Sequence, residues 1–309
     1  MRLQQKWNGR NIAHPQVAMR RFDLYVFKYS AITVVISAVL YNLTLDHLMA
    51  RGYSSPSVLV YRGLFTMAMT MIVARYSNQS VFPKNIHLNI IRLLNSGIGL
   101  MLTFEAYKRL TASTVAMVAR LDIPMAVLIG YAAGKRARDF KVGLSVFVVL
   151  MVLSILFFAD FIHEQPVGLG LALISVSMIS LSYLLIKRST SDENNFSIVN
   201  ITNIGCIVVG SISGLALGNL NMLQLKDLWL FLLTSLSQFA LNYTMAVVYR
   251  KNEVERAQRP YLTGAIAVLI VEQVIERRFF PALQIGIILS VVAIIYLITL
   301  NRLPFRRKQ

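Results

Sequence analysis

Apolar stretches long enough to cross a lipid bilayer recur along nearly the whole sequence, and short polar segments separate them. A helix needs roughly 20 mostly apolar residues to span the hydrocarbon core. Because lipid offers the backbone no hydrogen bonds, such stretches must form helices. The pattern predicts an all-α polytopic membrane protein with about ten transmembrane helices. The predicted spans are residues 24–48, 56–75, 86–107, 111–133, 142–159, 167–187, 196–217, 227–249, 253–275 and 282–301.

The composition favours a membrane protein over a soluble one. Hydrophobic residues make up 56% of the 309 residues and charged residues 15%, whereas charged residues make up about a quarter of a soluble domain. The net charge of +17 would suggest nucleic-acid binding in a soluble protein. Here the basic residues cluster between apolar stretches, where they act as topology signals. We therefore expect contact with the lipid bilayer and no nucleic-acid partner.

The chain offers few residues for redox or metal chemistry. Cys206 is the single cysteine, which excludes an intrachain disulfide. The four histidines are scattered near the ends of the apolar stretches and lack the spacing of metal ligands. We expect no cofactor and no metal.

Basic residues are concentrated on one side of the predicted membrane. With a cytoplasmic N-terminus, that side collects the tails at 1–23 and 302–309, Arg75, Lys84, the run at 135–141, Lys187, Arg188, Arg250 and Lys251. The opposite side keeps Arg51, Lys108, Arg109, Lys226, Arg277 and Arg278. The positive-inside rule predicts a multi-pass protein with both termini in the cytoplasm.

The fourth and ninth predicted spans resemble each other. Residues 125–129 read Met-Ala-Val-Leu-Ile, and residues 266–270 read Ile-Ala-Val-Leu-Ile. This register superposes five spans on five, residues 24–159 on residues 167–301. Because each half has an odd number of spans, the halves must have opposite orientations in the membrane. The sequence thus predicts two five-helix inverted repeats, which place a substrate site between the halves near the midplane.

Several short segments carry a resemblance to a known family. Residues 53–62 read Tyr-Ser-Ser-Pro-Ser-Val-Leu-Val-Tyr-Arg, residues 106–113 read Ala-Tyr-Lys-Arg-Leu-Thr-Ala-Ser, and Pro124 follows. In this order, over residues 24–302, the chain resembles EamA-like members of the drug/metabolite transporter superfamily. The resemblance implies a five-plus-five inverted-repeat fold that moves metabolites or drugs. We expect a monomer or homodimer in the cell inner membrane, where this family is abundant.

The sequence departs from the family at charged positions. Lys135 follows Gly134 where the family often has an acid, although Glu276 restores one in the second half. The small multidrug branch relies on a glutamate within its first helix. The first span here has only Asp46, near its outer end. Proton-for-cation exchange by that route is therefore not expected.

Two charges near the middle of the fourth span are the clearest site candidates. Arg120 and Asp122 precede Pro124, and a charge at a helix centre costs roughly 2.5–3.5 kcal/mol on insertion scales. Being two residues apart, they should point to opposite sides of a continuous helix. One would then face the transport pathway while the other pairs with a neighbouring helix. The alternative is an inter-helix ion pair with no substrate role.

Polar side chains recur at helical spacing on several other spans. A single polar stripe usually packs between helices, whereas stripes in both halves predict a central polar cavity, with tyrosines able to stack on a planar substrate. The predicted substrate-contacting residues are Ser37, Tyr41, Arg120, Asp122, Tyr183, Gln238, Asn242, Tyr243, Arg259 and Tyr261.

A second group is predicted to have structural or gating roles. Arg62 lies about two turns into the second span, and Glu105 lies beside Lys108 and Arg109 in a predicted surface ion network. Glu255 can pair with Arg259 along one helix face. The predicted structural or gating residues are Arg62, Glu105, Pro124, Glu255 and Glu276.

These features together predict a transporter working by alternating access. Charges of both signs near the site favour a small polar substrate, such as an amino-acid-like zwitterion. A membrane-embedded enzyme would need a constellation such as clustered histidines and carboxylates, which the sequence lacks. A scaffold or sensor would call for a large soluble loop or domain, which is also lacking.

We predict that a cysteine at position 138, within the basic run, resists membrane-impermeant thiol reagents in intact cells once Cys206 is replaced. The reason is that the run should share the cytoplasm with both termini. A cysteine at position 226, on the opposite predicted side, is the control and should be labelled. Labelling at position 138 would overturn the orientation.

Overall fold

The computed structural model describes residues 22–110, 112–134, 139–158, 166–252 and 282–299, with residues 262–264, 266–267, 270–271 and 274 of the intervening segment. All regular structure among them is helical. The helices are α1 (Ser30–Ala50), α2 (Ser55–Tyr76), α3 (Ile86–Tyr107), α4 (Ala112–Ala119), α5 (Asp122–Ala132), α6 (Asp139–Phe158), α7 (Pro166–Ser189), α8 (Asn195–Leu217), α9 (Leu228–Lys251) and α10 (Ala282–Thr299). A 3₁₀ turn, Leu225–Asp227, precedes α9.

Six of these helices are long and apolar enough to cross a membrane. They are α1, α2, α3, α7, α8, and α9 together with the 3₁₀ turn before it. The described residues therefore form an all-helical, multi-pass membrane protein, which confirms the predicted class. In the other four predicted spans the described helices are shorter, interrupted or described only in part, so a total of ten stays a prediction.

Side-chain caps set where several helices begin. The side-chain oxygens of Ser54, Asn85 and Asn194 accept hydrogen bonds from main-chain N–H groups three residues later, at 3.3, 3.3 and 2.9 Å. Such caps satisfy amides that have no partner in the first turn. At the far end of α8, Gly218 has φ of 62°, a left-handed conformation that glycine adopts without steric cost.

The fourth predicted span, 111–133, is not one continuous helix. α4 ends at Ala119 and α5 begins at Asp122, and the amide of Leu121 bonds to the carbonyl of Val118 at 3.0 Å. Proline has no N–H, so Pro124 cannot donate to the carbonyl of Arg120 as a helical residue would. The expectation of an unbroken helix through Arg120 and Asp122 is therefore wrong.

Helix α8 packs between several other helices. It packs against α2, α3 and α9. Around it, α1 packs on α9, α3 packs on α7, and α5 packs on both α6 and α7. Helix α10 contacts α6.

Two glycines let α3 and α8 approach at the backbone level. A β-carbon added at Gly205 would overlap the carbonyl oxygen of Leu93, and one added at Gly97 would overlap the carbonyl of Gly205. Small residues at helix crossings are a common source of tight packing between membrane helices, because lipid provides no hydrophobic force between them.

We predict that Gly205→Ala destabilises the folded protein by about 1–3 kcal/mol, the usual cost of overpacking. The clash is with main-chain atoms, which cannot swing aside. Gly170→Ala is the matched control, since no atom lies within 4 Å of an added β-carbon there. Melting of the purified protein in detergent measures both. Equal melting temperatures would contradict the close crossing.

Candidate functional site

A cavity of about 170 Å³ lies between α1, α3, α4, α5, α7, α8 and α9. An engineered apolar cavity of about 150 Å³ in another protein holds benzene, so this space suits a molecule with a single ring or of similar size. Several of the lining side chains are polar. They are Tyr41, Asn42, Ser96, Thr103, Tyr107, Arg120, Asp122, Ser182, Tyr183, Thr202, Gln238 and Asn242.

The structure brings six of the ten predicted substrate-contacting residues to this cavity. They are Tyr41, Arg120, Asp122, Tyr183, Gln238 and Asn242. They come from α1, the α4–α5 junction, α7 and α9, so separate parts of the sequence converge on one space. That they contact a substrate stays a prediction.

Two predicted residues lie elsewhere, and others fall outside the described part of the chain. Ser37 is buried but is not among the residues that line the cavity. Tyr243 packs against Phe196 and Phe239, with ring centroids 5.1 and 5.8 Å away. Its hydroxyl donates to Asp23 at 2.7 Å. The candidates outside the described residues are Glu255, Arg259, Tyr261 and Glu276.

Arg120 and Asp122 line the same cavity instead of pointing to opposite sides of a helix. The interruption between α4 and α5 explains this, because the angular spacing of a regular helix does not hold across it. Asp122 is buried, with 2% of its surface exposed. Its Oδ1 atom has no hydrogen-bond partner among the described residues. A buried carboxylate oxygen in this position can accept a hydrogen bond from a ligand.

Arg62 lies directly behind the cavity wall. It is fully buried in α2, and its Nη1 donates to the hydroxyl of Tyr41 at 2.8 Å and to Oε1 of Gln238 at 3.1 Å. Its Nη2 donates to the sulfur of Cys206 at 2.7 Å, and the guanidinium lies 5.2 Å from the ring centre of Phe104. Arg62 thus contacts residues on four other helices, which is compatible with a structural or gating role. That role stays a prediction.

Sequence reasoning missed a second buried arginine. Arg92 is fully buried in α3 and donates to the carbonyl of Ile198 and, at 3.3 Å, to Oδ1 of Asn89. Its Nη2 is also 3.5 Å from Oγ1 of Thr202. Both Ile198 and Thr202 line the cavity. The signal was available, because an arginine within an apolar span is a functional candidate by default.

A polar seam runs between α3 and α7. Asn95 donates to Oγ of Ser182 at 2.6 Å, and the hydroxyl of Ser175 donates to the carbonyl of Gly99 at 2.8 Å. These bonds fix the wall that carries Ser96, Ser182 and Tyr183. Stripes of this kind hydrogen-bond between helices and line the cavity at the same time.

Two buried acids join loops at opposite ends of α2 and α8. At one end, Asp227 pairs with Arg51 and accepts from the hydroxyl of Tyr53 at 2.9 Å. At the other, Oε1 of Glu193 accepts from the main-chain amides of Lys84 and Asn85 at 2.7 and 2.9 Å. Each contact joins one predicted half of the chain to the other. We refer to them as the Asp227 tie and the Glu193 tie.

The end of α3 carries the predicted ion network. Glu105 pairs with Lys108 at 2.8 Å and with Arg109 at 3.0 Å, while the structural or gating role of Glu105 stays a prediction. Partly exposed pairs of this type contribute little stability. Elsewhere in the described ranges, no group of three or more His, Cys, Asp or Glu residues could hold a metal ion.

Comparison with known proteins identifies a fold and no family. No family model and no curated protein matches the chain, whereas 20 solved chains do. One of them, described only as the crystal structure of a protein, has 13% sequence identity and a TM-score of 0.58. The match covers 86% of this chain and 97% of the solved one. At this identity the likeness shows that the helix arrangement is shared and carries no function across.

Proposed function

We propose that the protein is an integral membrane transporter that moves a small polar metabolite by alternating access. The observation that carries the proposal is the cavity inside a bundle of membrane-length helices, lined by Arg120 and Asp122. Charges within a membrane are costly and usually mark substrate or ion pathways. Charges of both signs on one cavity support an amino-acid-like zwitterion as substrate.

The packing of the helices supports an inverted repeat. If the second half begins at α7, then α7, α8 and α9 correspond to α1, α2 and α3. Under this correspondence, the contact between α3 and α7 is equivalent to the contact between α9 and α1. Likewise, the contact between α3 and α8 is equivalent to the contact between α9 and α2. The contacts of α2 with α8 and α6 with α10 map onto themselves. This is the pairing that a two-fold axis between the halves predicts.

The helix caps follow the same register. Ser54 and Asn194 are the N-cap residues of α2 and α8, and Asn85 and Asp227 are those of α3 and α9. The two members of each pair are separated along the sequence, to within one residue, by the same number of positions that separates residues 125–129 from residues 266–270. The membrane proposed is the cell inner membrane, with both termini in the cytoplasm. The family resemblance and the distribution of basic residues support this placement.

The two ties support an alternating mechanism. A cavity between two halves opens to one side when the halves separate there and stay together at the other side. The Asp227 tie and the Glu193 tie join the halves at opposite ends, and each can break while the other holds.

We predict that Arg120→Gln and Asp122→Asn each abolish uptake into proteoliposomes while the protein stays folded, because each removes a charge that meets the substrate. The measurements are the melting temperature and mass-spectrometric detection of metabolites taken up from a small-molecule extract. Liposomes without protein are the control.

The double variant separates a transport role from a structural one. If the two charges only pair with each other, each single change strands a buried charge at a cost of about 3–5 kcal/mol, and the double variant recovers stability and uptake. If they contact substrate, the double variant is stable and inactive. A stable, fully active double variant would defeat the transport role of this pair.

We also predict that Asp227→Asn exposes the cavity to the side where Asp227 lies. The reporter is Ala38→Cys on the cavity wall, in a Cys206→Ser background, labelled by an impermeant thiol reagent from that side. Weakening the tie by about 1.4 kcal/mol gives roughly tenfold faster labelling. Glu193→Gln, the matched change at the other end, should not accelerate labelling from this side. Acceleration by Glu193→Gln, or none by Asp227→Asn, would contradict the mechanism.

A further inference from the structure

The polarity of one cavity wall is set by a cation behind it. Arg62 donates to Tyr41 and to Gln238, and both of these residues line the cavity. Among the described residues no carboxylate lies within ion-pair distance of Arg62, and its hydrogen-bond partners there are a hydroxyl, an amide oxygen and a thiol. An arginine has donors and no acceptors. Every group that meets it must therefore present an acceptor.

The same requirement fixes the orientation of two side-chain amides on α9. Because Arg62 takes Oε1 of Gln238, the Nε2 group of Gln238 is the free donor, and it donates to Oδ1 of Asn242 at 2.8 Å. The oxygen of Asn242 is then occupied, which leaves its Nδ2 group. That atom is buried and has no hydrogen-bond partner in the described ranges. Asn242 lines the cavity, so this series of hydrogen bonds ends at an unused donor on the cavity wall.

Tyr41 is oriented by the same cation. Its oxygen accepts from Arg62 at 2.8 Å, so its single hydrogen must point to another acceptor. Within the described part of the chain, no acceptor for that hydrogen is found. A hydroxyl that accepts from a cation is also a stronger donor, because hydrogen bonds in a chain polarise one another. Arg62 thus leaves two donors on one wall, the hydroxyl of Tyr41 and the amide of Asn242.

We propose that Tyr41 and Asn242 form an oxyanion subsite that takes the carboxylate of the transported molecule, with Arg62 as the positioning residue behind both donors. The subsite rests on the proposed transport function, since it names the group by which that cavity recognises its cargo. Donors fixed in advance bind an oxyanion strongly in a water-poor site, because they need no reorganisation.

The charge around the cavity favours the same ligand. Arg62 and Arg92 are fully buried behind the wall, and Arg120 lines it, while Asp122 is the acid on the lining. Glu193 lies near Arg92 but forms no ion pair with it among the described residues. Charge interactions are strong where water is scarce. A ligand that brings negative charge therefore meets an attractive field, and Asp122 remains available for a donor on the same ligand.

The ligand chemistry is tested with three probes that share one skeleton: phenylacetate, phenylacetamide and phenethylamine. Each is added to the purified full-length protein, and the melting temperature is followed with concentration, since a bound ligand stabilises by mass action. We expect phenylacetate to raise the melting temperature and the neutral amide and the amine to have no such effect. Inorganic phosphate is a fourth probe. Stabilisation by phosphate alone would overturn the carboxylate assignment.

Variants then locate the subsite. Tyr41→Phe removes one donor and should weaken phenylacetate binding about tenfold, the equivalent of about 1.4 kcal/mol. Asn242→Asp places a carboxylate where the proposed donor lies and should abolish binding. The matched controls are Tyr131→Phe, on an exposed part of α5, and Asn219→Asp, in the exposed loop after α8. Both should bind phenylacetate like the parent protein.

Arg62→Lys tests the positioning role. A lysine keeps the charge but lacks the fork that reaches Tyr41 and Gln238 together, so phenylacetate binding should fall while the selectivity against the amine persists. If this variant does not fold, Tyr41→Phe and Asn242→Asp still decide the matter. Unchanged phenylacetate binding in both of those would overturn the subsite.

The proposal and the transport function can fail separately. Uptake of metabolites by proteoliposomes, combined with equal binding of acid, amide and amine, would support the transport function and contradict the subsite. Selective binding of phenylacetate that depends on Tyr41 and Asn242, without uptake of any metabolite, would support the subsite and contradict the transport function.

Discussion

The guanidinium of Arg62 is the point where five helices meet. It belongs to α2, bonds to Tyr41 on α1, Cys206 on α8 and Gln238 on α9, and lies over Phe104 on α3. A buried cation without a paired carboxylate needs acceptors around it. Here Arg62 has three such partners at Nη1 and Nη2, and none at Nε among the described residues. Its neighbours are therefore fixed in place, and with them the wall of the cavity. Arg62 thus links helices of both predicted halves and bonds to two residues of the cavity wall.

The boundaries of several spans could be predicted from sequence because they have local causes. Ser55, Ile86 and Asn195 begin α2, α3 and α8, within one residue of the predicted starts at 56, 86 and 196. In each case a side chain just before the helix can cap it, and the cap is visible as a Ser or Asn ahead of an apolar run. The class of the protein follows from the same runs, since lipid imposes helices on them.

The site was only partly predictable. Helical periodicity indicates which residues share one face of a helix, but not which other helix that face packs against. Gln238 and Asn242 are one turn apart on α9 and both reach the cavity, whereas Tyr243, the next residue, points about 100° away, as helical geometry requires. The sequence shows Pro124, but the break that it accompanies between α4 and α5, which brings Arg120 and Asp122 to one cavity, does not follow from residue spacing. Arg92 could have been found, since the argument applied to Arg120 applies equally to it.

The two ties differ in the kind of hydrogen-bond donor that each acid uses. Asp227 binds the side chain of Arg51, which is 38% exposed, and dissolved ions weaken an interaction of this kind. Glu193 binds main-chain amides, whose dipoles are fixed by the peptide and carry no net charge. The closures at the two ends therefore differ in their sensitivity to ionic strength. Under the alternating cycle proposed above, the salinity of the medium would thus bias which way the empty protein faces, before any cargo arrives.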